Sequence, residues 1–261
     1  MAHGNWHIKD DIREYWSSRA ATFDDSVGHE IFSDEERAAW HRLIEKHLGS
    51  GNGGKALDIA SGTGVISRLL CESGYCVTGL DFAEPMIARA ELKAKERGLD
   101  ATYLLGDAED TRLGDNAYDV IMTRHLVWTL PTPAAAFADW FRVLKPGGRV
   151  LIVDADMTPR TLKSKILRRI AGWLKGIGTA PTSPGVNREL HDRIVSQVHF
   201  AEGARAEAIA ELLRAAGFED VVIDRNHGEI RRAQGLFMPL KQRIDRASQD
   251  RYAIRASKPA A

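Results

Sequence analysis

Apolar residues along the chain follow two alternating rhythms. Short apolar runs predict strands at Ala56 to Ile59, Cys76 to Leu80, Ala101 to Leu105, Asp119 to Met122, Arg149 to Val153, Phe218 to Ile223 and Arg251 to Ala256. Between them, apolar residues recur at three- and four-residue spacing, as on one face of a helix. Ile12, Tyr15 and Trp16 do so within Ile8 to Ala21. Ala38, Trp40, Leu43, Ile44 and Leu48 do so after Ser33-Asp34-Glu35-Glu36, which reads as an N-cap with an acidic first turn. Further helices are predicted behind Val65, from Pro85 to Gly98, through Phe137, Trp140 and Val143, and from Ala206 to Ala216. Strands that alternate with helices predict a parallel sheet covered on both faces.

The segment Lys55 to Ser67, KALDIASGTGVIS, organises the rest. An apolar strand breaks into the small turn Ala60-Ser61-Gly62-Thr63-Gly64 and resumes as a helix, the opening of a nucleotide-binding unit. The next run ends in Asp81, about 20 residues on, where a carboxylate meets the hydroxyls of a bound ribose. The third ends in Gly106-Asp107-Ala108-Glu109. Ligands of open parallel sheets lie outside the carboxyl ends of the strands, so glycine, acid and acid stand at three adjacent tips.

LDIASGTG, GLDFAEPM, GDAED, YDVIMTRHLVWTLP and RVLKPGGRVLIVD, in this order, resemble a class I S-adenosylmethionine-dependent methyltransferase, of the broad group that includes ubiquinone and menaquinone C-methyltransferases. The resemblance runs from about Lys55 to Asp154 and departs at Ala60, where the family usually has glycine. It implies an α/β, Rossmann-like, seven-stranded mostly parallel sheet with helices on both faces, an N-terminal helical cap and an inserted lid. The divisions expected are 1–50 for the cap, 51–157 for the cofactor-binding core, 158–205 for the lid and 206–261 for the C-terminal part of the sheet. The resemblance places S-adenosylmethionine on Tyr15, Arg19, Asp58, Ala60, Gly62, Gly64, Asp81, Phe82, Met86, Asp107, Ala108 and Thr123, with Arg19 offering a forked donor to the methionine carboxylate. The acceptor is expected near Phe23, Arg124, His125 and Trp128, with His191 and His199, on a second lid helix outside the resemblance, as further candidates. His125 stands where the transferred methyl group would be, to orient a substrate or take its proton. The KPGG turn is structural.

Composition narrows the function classes. Lys plus Arg and Asp plus Glu number 36 each, so net charge gives no reason to expect nucleic acid. Cys71 and Cys76 make neither a disulfide framework nor a zinc site, and no metal site is expected. The polar start MAHGNWHIKDD shows no apolar leader, no run reaches a membrane span, and a cytoplasmic protein is expected. A homodimer is left open.

Arg160 to Lys175 holds six Arg or Lys and no acid, with Leu162, Ile166, Ile170, Trp173 and Ile177 at helical spacing. It reads as a lid helix with a solvated basic face, or as a helix lying on a membrane. Gly176 to Gly185 reads as a hinge, Asn187 to His199 as a second lid helix, and Gly228 to Asp250 as a connection with a helix near Met238 to Arg246. The expected activity is methyl transfer to a small molecule, its acceptor atom undetermined. A nicotinamide-dependent oxidoreductase fits less well, because the third glycine of its fingerprint falls at Ser67. A phospholipid N-methyltransferase at the membrane, and a protein that binds the cofactor without turnover, are the other readings.

Overall fold

The computed structural model describes residues 5–173 and 187–260. Seven strands form one sheet: β1 (Lys55–Ile59), β2 (Cys76–Asp81), β3 (Ala101–Leu105), β4 (Tyr118–Arg124), β5 (Leu144–Asp156), β6 (Glu219–Asp224) and β7 (Asp250–Ser257). Their order is β3-β2-β1-β4-β5-β7-β6, with β7 antiparallel to both β5 and β6 and the rest parallel. This is the sheet expected, closed by an antiparallel pair.

Alternation along the strands supplies two buried faces. Leu57, Ile59, Ile121, Val150 and Ile152 point one way, onto α5 (Pro133–Val143) and α8 (Ala206–Ala215), where Phe137, Trp140 and Leu213 are fully buried. Ala56, Val120, Met122, Leu151 and Val153 point the other way, onto α2 (Asp34–His47) and α3 (Val65–Glu72) through Trp40, Ile44, Leu69 and Leu70. Truncating Trp140 to alanine would cost about 3–5 kcal/mol by lost burial and the cavity left behind. Ser33 caps α2 as its position suggests, its side chain accepting from the Glu36 amide at 3.2 Å. α4 (Glu84–Glu96) carries Pro85 in its first turn, where the missing N–H costs nothing.

The first helix, α1 (Asn5–Arg19), continues into a 3-10 turn, Ala20–Asp25. Ile8 and Tyr15 of α1 bury themselves against Leu190, Ile194 and Val198, contributed by and just beyond α7 (Arg188–Gln197). The two ends of the chain region before and after the core thereby meet over the carboxyl ends of the strands.

Two features differ from the expectation. The KPGG stretch lies within β5, because Leu144 already pairs with Tyr118 before the register shifts and Gly147 turns at φ +76°. The connection expected to hold one helix holds two, α9 (Gly228–Gly235) and α10 (Leu240–Ala247). α9 buries only Ile230, Ala233 and Gln234 among charged neighbours, a pattern too short to announce itself. The basic helix is α6 (Leu162–Trp173). Lys175, Ile177 and the hinge Gly176 to Gly185 lie outside the described residues. Among the described helices, none is long and apolar enough to cross a membrane.

Candidate active site

Strand tips build the floor of a cleft. After β1 the chain turns through Ala60 at φ +57°, Gly62 at φ +54° and Gly64 at φ +82°. The Gly64 amide closes the turn on the Ser61 carbonyl at 2.9 Å, and the Ser61 amide holds the Leu80 carbonyl of β2 at 3.0 Å. Asp81, at the tip of β2, then clasps the turn: its carboxylate accepts from the Gly62 amide and from the Ala83 amide, both at 2.8 Å. Burial raises the Asp81 carboxyl, while those amides pull it back down. A carboxylate has about four acceptor positions, so these amides leave acceptor capacity for a ligand's hydroxyl.

Around this floor the cleft is lined by Ala60, Gly62, Asp81, Phe82, Met86, Asp107 and Ala108, all expected at a cofactor, and by Phe23, Arg124 and His125, expected at an acceptor. Other expected residues stand back from it. Asp58 lies beneath the turn, where Ser67 Oγ donates to it at 2.6 Å and burial pushes its carboxyl up to about 7. Gly64 faces Tyr103 and Ala90, with no room there for a Cβ. Thr123 is fully buried in β4. Tyr15 and Arg19, both on α1, are buried outside the cleft lining, joined by Arg19 Nη1 to the Tyr15 hydroxyl at 3.4 Å. Trp128 donates through Nε1 to the His125 carbonyl at 3.1 Å, and the His191 ring lies 6.0 Å from it and 5.6 Å from Tyr15. His199 stacks edgewise on Phe200, while its amide holds the Leu130 carbonyl.

The roof comes from the first helix and the loop after it, with further lining from strand-tip residues that lie in the quoted motifs but were given no role. Lys9, Ile12 and Trp16 of α1 line the cleft, as do His29, Glu109, Thr129 and Leu130. Lys9 bridges Asp107 at 2.6 Å and Glu109 at 2.8 Å, and the Arg13 guanidinium lies 4.3 Å above the Phe82 ring. Asp24 ties the 3-10 turn to the glycine turn, accepting from Thr63 Oγ1 at 2.5 Å and Lys93 Nζ at 2.9 Å. The ring of Phe23 is stacked on His29 at 4.1 Å. The sequence signals here were Ile12 and Trp16, as apolar residues on one face of the first helix, and Phe23, expected at the acceptor.

His125 takes φ +60°, and its amide is anchored on the Val153 carbonyl at 3.0 Å. Its Nδ1 lies 3.9 Å from Asp154. Burial first, then the positive charges of Arg251, Arg124 and Arg246, hold its imidazole well below the usual range. The ring is therefore neutral at pH 7 and its conjugate acid is disfavoured. Burial likewise pushes the Asp154 carboxyl up to about 7, although it accepts from the Val127 and Ala155 amides.

The cleft fits a nucleoside cofactor with a charged tail. Ser61 Oγ, Arg19 Nε, Thr123 Oγ1 and Arg124 Nη1 are buried without a partner in and behind its walls. Buried polar atoms ordinarily have partners, so orphans gathered around one cleft mark groups that a ligand or its waters satisfy. Among the described residues no His, Cys, Asp and Glu cluster suits a metal ion.

A family of methyltransferase domains matches residues 57–152, which span these strand tips. The chain is 33% identical over 146 residues to a ubiquinone/menaquinone biosynthesis C-methyltransferase, UbiE, of Bdellovibrio bacteriovorus; the match covers 55% of this chain and 61% of that protein. It is 32% identical over 163 residues to a phosphatidylethanolamine N-methyltransferase of Cereibacter sphaeroides, covering 59% of this chain and 76% of that one. Among solved structures it resembles phosphoethanolamine N-methyltransferase 2 of Haemonchus contortus in complex with S-adenosyl-L-methionine, with a TM-score of 0.65 and 18% identity over 97% of this chain and 60% of the other. The fold is shared as well with the [4+2]-cyclase SpnF, at a TM-score of 0.63 and 18% identity over 97% of both chains. With the glycine turn, the acidic strand tips and the sheet order in agreement, the chain belongs to the class I S-adenosylmethionine-dependent methyltransferases, in the group that resembles UbiE.

Proposed function

We propose that this enzyme methylates a small molecule held between the tip of β4 and the 3-10 turn, walled by Phe23, His29, His125, Leu126 and Leu130. The observation that carries this reading is the continuous cleft from Asp107 past the glycine turn to His125. S-adenosylmethionine, when bound, supplies a methyl group already activated on a positively charged sulfur. The chain's own residues then bind, orient and exclude water. In this reading Asp81 takes the ribose hydroxyls, Asp107 and the Ala108 amide read the adenine edge, and the turn backbone faces the methionine, while Arg19 stands back from the cleft lining. α1 and the 3-10 turn act as the cap. His125 orients the acceptor through a neutral ring and does not carry its proton. The proposal keeps the protein in the cytoplasm. Calorimetric titration of the chain with S-adenosylhomocysteine and with NADH tests the reading. Micromolar binding of the first alone is expected, and preference for NADH would sink it.

A second reading is favoured by one surface. α6 exposes Leu162 at 76% and Trp173 at 84%, with Ile166 and Ile170 between them. α10 lies beside it, and Leu236, Phe237 and Leu240 are exposed there as well. Lys163, Lys165, Arg168 and Arg169 flank the stripe on α6, and Lys241 and Arg243 lie on α10. α6 follows β5 and α10 precedes the antiparallel β7, so both helices hang from the edge of the sheet that carries the cleft. An apolar stripe bordered by cations fits an anionic bilayer, which would let the enzyme draw its acceptor from the membrane. The chain should sediment with phosphatidylglycerol vesicles and not with phosphatidylcholine vesicles, and a Leu162→Ala, Trp173→Ala variant should stay in solution. No sedimentation of the wild type removes the second reading.

A further inference from the structure

Three guanidinium groups converge beside the acceptor end of the cleft. Arg124 ends β4 and lines the cleft. It lies over Trp40, 5.4 Å from the ring centroid, and its Nη2 donates to the His29 carbonyl at 3.0 Å. Its Nη1 is buried without a partner. Arg246 of α10 grips the same loop two residues earlier: Nη2 donates to the Val27 carbonyl at 2.5 Å and Nη1 to the Gln234 side chain at 2.7 Å. Gly28 lies between those carbonyls, and a Cβ there would strike the Arg246 guanidinium. Arg251 comes from β7. The register sets Arg124 opposite Val153 and Arg251 opposite Ala155. Side chains two apart on β5 share a face, so both arginines rise on the Trp40 side of the sheet with the small β5 side chains of Val153 and Ala155 between their strands. Arg251 donates to Gln249 at 3.2 Å.

Among the described residues, none of the three has a carboxylate within 4.0 Å. The acids around them are otherwise engaged. Asp154 accepts from two backbone amides. Glu36 accepts from Trp40, Gln234 and the Phe32 amide. Glu30 bridges Arg68 and Lys93. Burial foremost, then the other arginines, holds Arg246 down to about 9 and Arg251 down to about 10. Buried cations are ordinarily paired, because leaving one unpaired is costly. A cluster left unpaired at the wall of a cleft marks where the ligand's charge belongs.

We propose that the acceptor carries an acidic group, a carboxylate or phosphate oxyanion, which Arg124 receives with Arg251 and Arg246 behind it. This rests on the reading of the cleft as a methyl-transfer site, because the anion is assigned to the acceptor. The fork of a guanidinium suits such a group, since two parallel N–H donors match two oxygens. The free Nη1 of Arg124 is the donor available for it.

The test is calorimetric titration of inorganic phosphate into the full chain saturated with S-adenosylhomocysteine, beside Arg124→Gln, Arg251→Gln and Arg251→Lys. The wild type should bind phosphate, more weakly as sodium chloride rises. Both Gln variants should bind it about tenfold or more weakly, the loss of a charged hydrogen bond, and Arg251→Lys should keep most of the affinity. S-adenosylhomocysteine affinity should stay within about twofold in all three. Without phosphate, Arg251→Gln should melt no lower than wild type, because an unpaired buried charge has been removed. Phosphate binding that S-adenosylhomocysteine abolishes would assign the cluster to the cofactor's carboxylate and overturn the proposal. So would the absence of phosphate binding, or wild-type affinity in both Gln variants. If wild type fails to bind S-adenosylhomocysteine, the methyl-transfer reading fails by itself, and phosphate titration of the chain alone still decides whether the arginines hold an anion.

Discussion

Lys9 of the first helix holds Asp107 at 2.6 Å, across 98 positions of sequence. Burial works against the Lys9 charge, but hydrogen bonds and charges from Asp107 and Glu109 outweigh it and hold the ammonium above its usual range. The contact fastens α1 to the Asp107 end of the cleft, where the proposed reading sets the adenine. Lys9→Met should therefore speed S-adenosylhomocysteine dissociation roughly three- to tenfold with little change in association, as most interface changes act on the off-rate. Stopped-flow displacement reads both rates. An unchanged off-rate would mean that α1 does not cover the ligand.

Asp81 accepts from the Gly62 amide of the glycine turn, and the proposed reading sets the ribose beside it. Asp81→Ala should weaken S-adenosylmethionine binding by about 1.5–3 kcal/mol, the range for hydrogen bonds to a charged group. The variant also frees the Gly62 amide, so its folding is checked by circular dichroism beside calorimetry. Full affinity in a folded variant would take Asp81 out of the cofactor site.

His125 bears two predictions from one backbone angle and one environment. At φ +60° asparagine is tolerated and a β-branched residue is not. His125→Asn should fold normally, and His125→Val should lose about 1–3 kcal/mol of stability. Because burial and nearby arginines keep the ring neutral, turnover should show no limb from this residue between about pH 6 and 8. His125→Asn should keep turnover within about tenfold. A loss of ~10²–10⁴ together with an acid limb in the wild type would restore general-base catalysis.

Two buried groups should tilt the stability profile in opposite directions. Burial holds the His29 imidazole down to about 3, against about 6.5 when unfolded. Between those values the unfolded chain binds a proton that the folded chain refuses, so stability falls as pH drops through that window. Burial pushes Asp154 up to about 7, against about 3.9 unfolded. There the folded chain keeps a proton that the unfolded chain releases, so stability falls as pH rises from about 4 to about 7. Melting curves from about pH 4 to 8 separate the two. His29→Gln should lessen the acid-side loss and Asp154→Asn the loss toward neutrality. Profiles parallel to wild type in both variants would contradict both environments.

The sheet was legible because each strand carries its own pattern. Ala56 and Leu57 already alternate between faces, and Asp81 and Asp107 follow apolar runs directly, so their place at the tips needs no knowledge of the rest of the chain. The roof was not legible, because its contacts join distant residues with no local signature. Lys9 looks like any helical lysine until Asp107 is beside it, and Arg246 meets Val27 across 219 positions. Tyr15 and Arg19 illustrate the opposite limit: an aromatic and a cation at helical spacing mark a buried face, but whether that face looks into the cleft or behind it depends on where α7 packs.

The partnership of α1 with α7 bears on the order in which the protein is made. Ile8 and Tyr15 leave the ribosome first, but Leu190, Ile194 and Val198, which bury them, follow some 180 residues later. At about 5–20 residues per second that is a wait of roughly 10–35 s. During that interval Ile8 and Tyr15 lack the cover α7 gives them, although Trp16 already has Met86 and Phe23 to pack against, and a helix of this length is marginal in water without packing. The Ile8 and Tyr15 side of α1 thus gains its full native packing only once the core it roofs is nearly complete. A ribosome-bound chain halted before residue 190 should leave Ile8 to Tyr15 more open to protease than a released chain that includes α7.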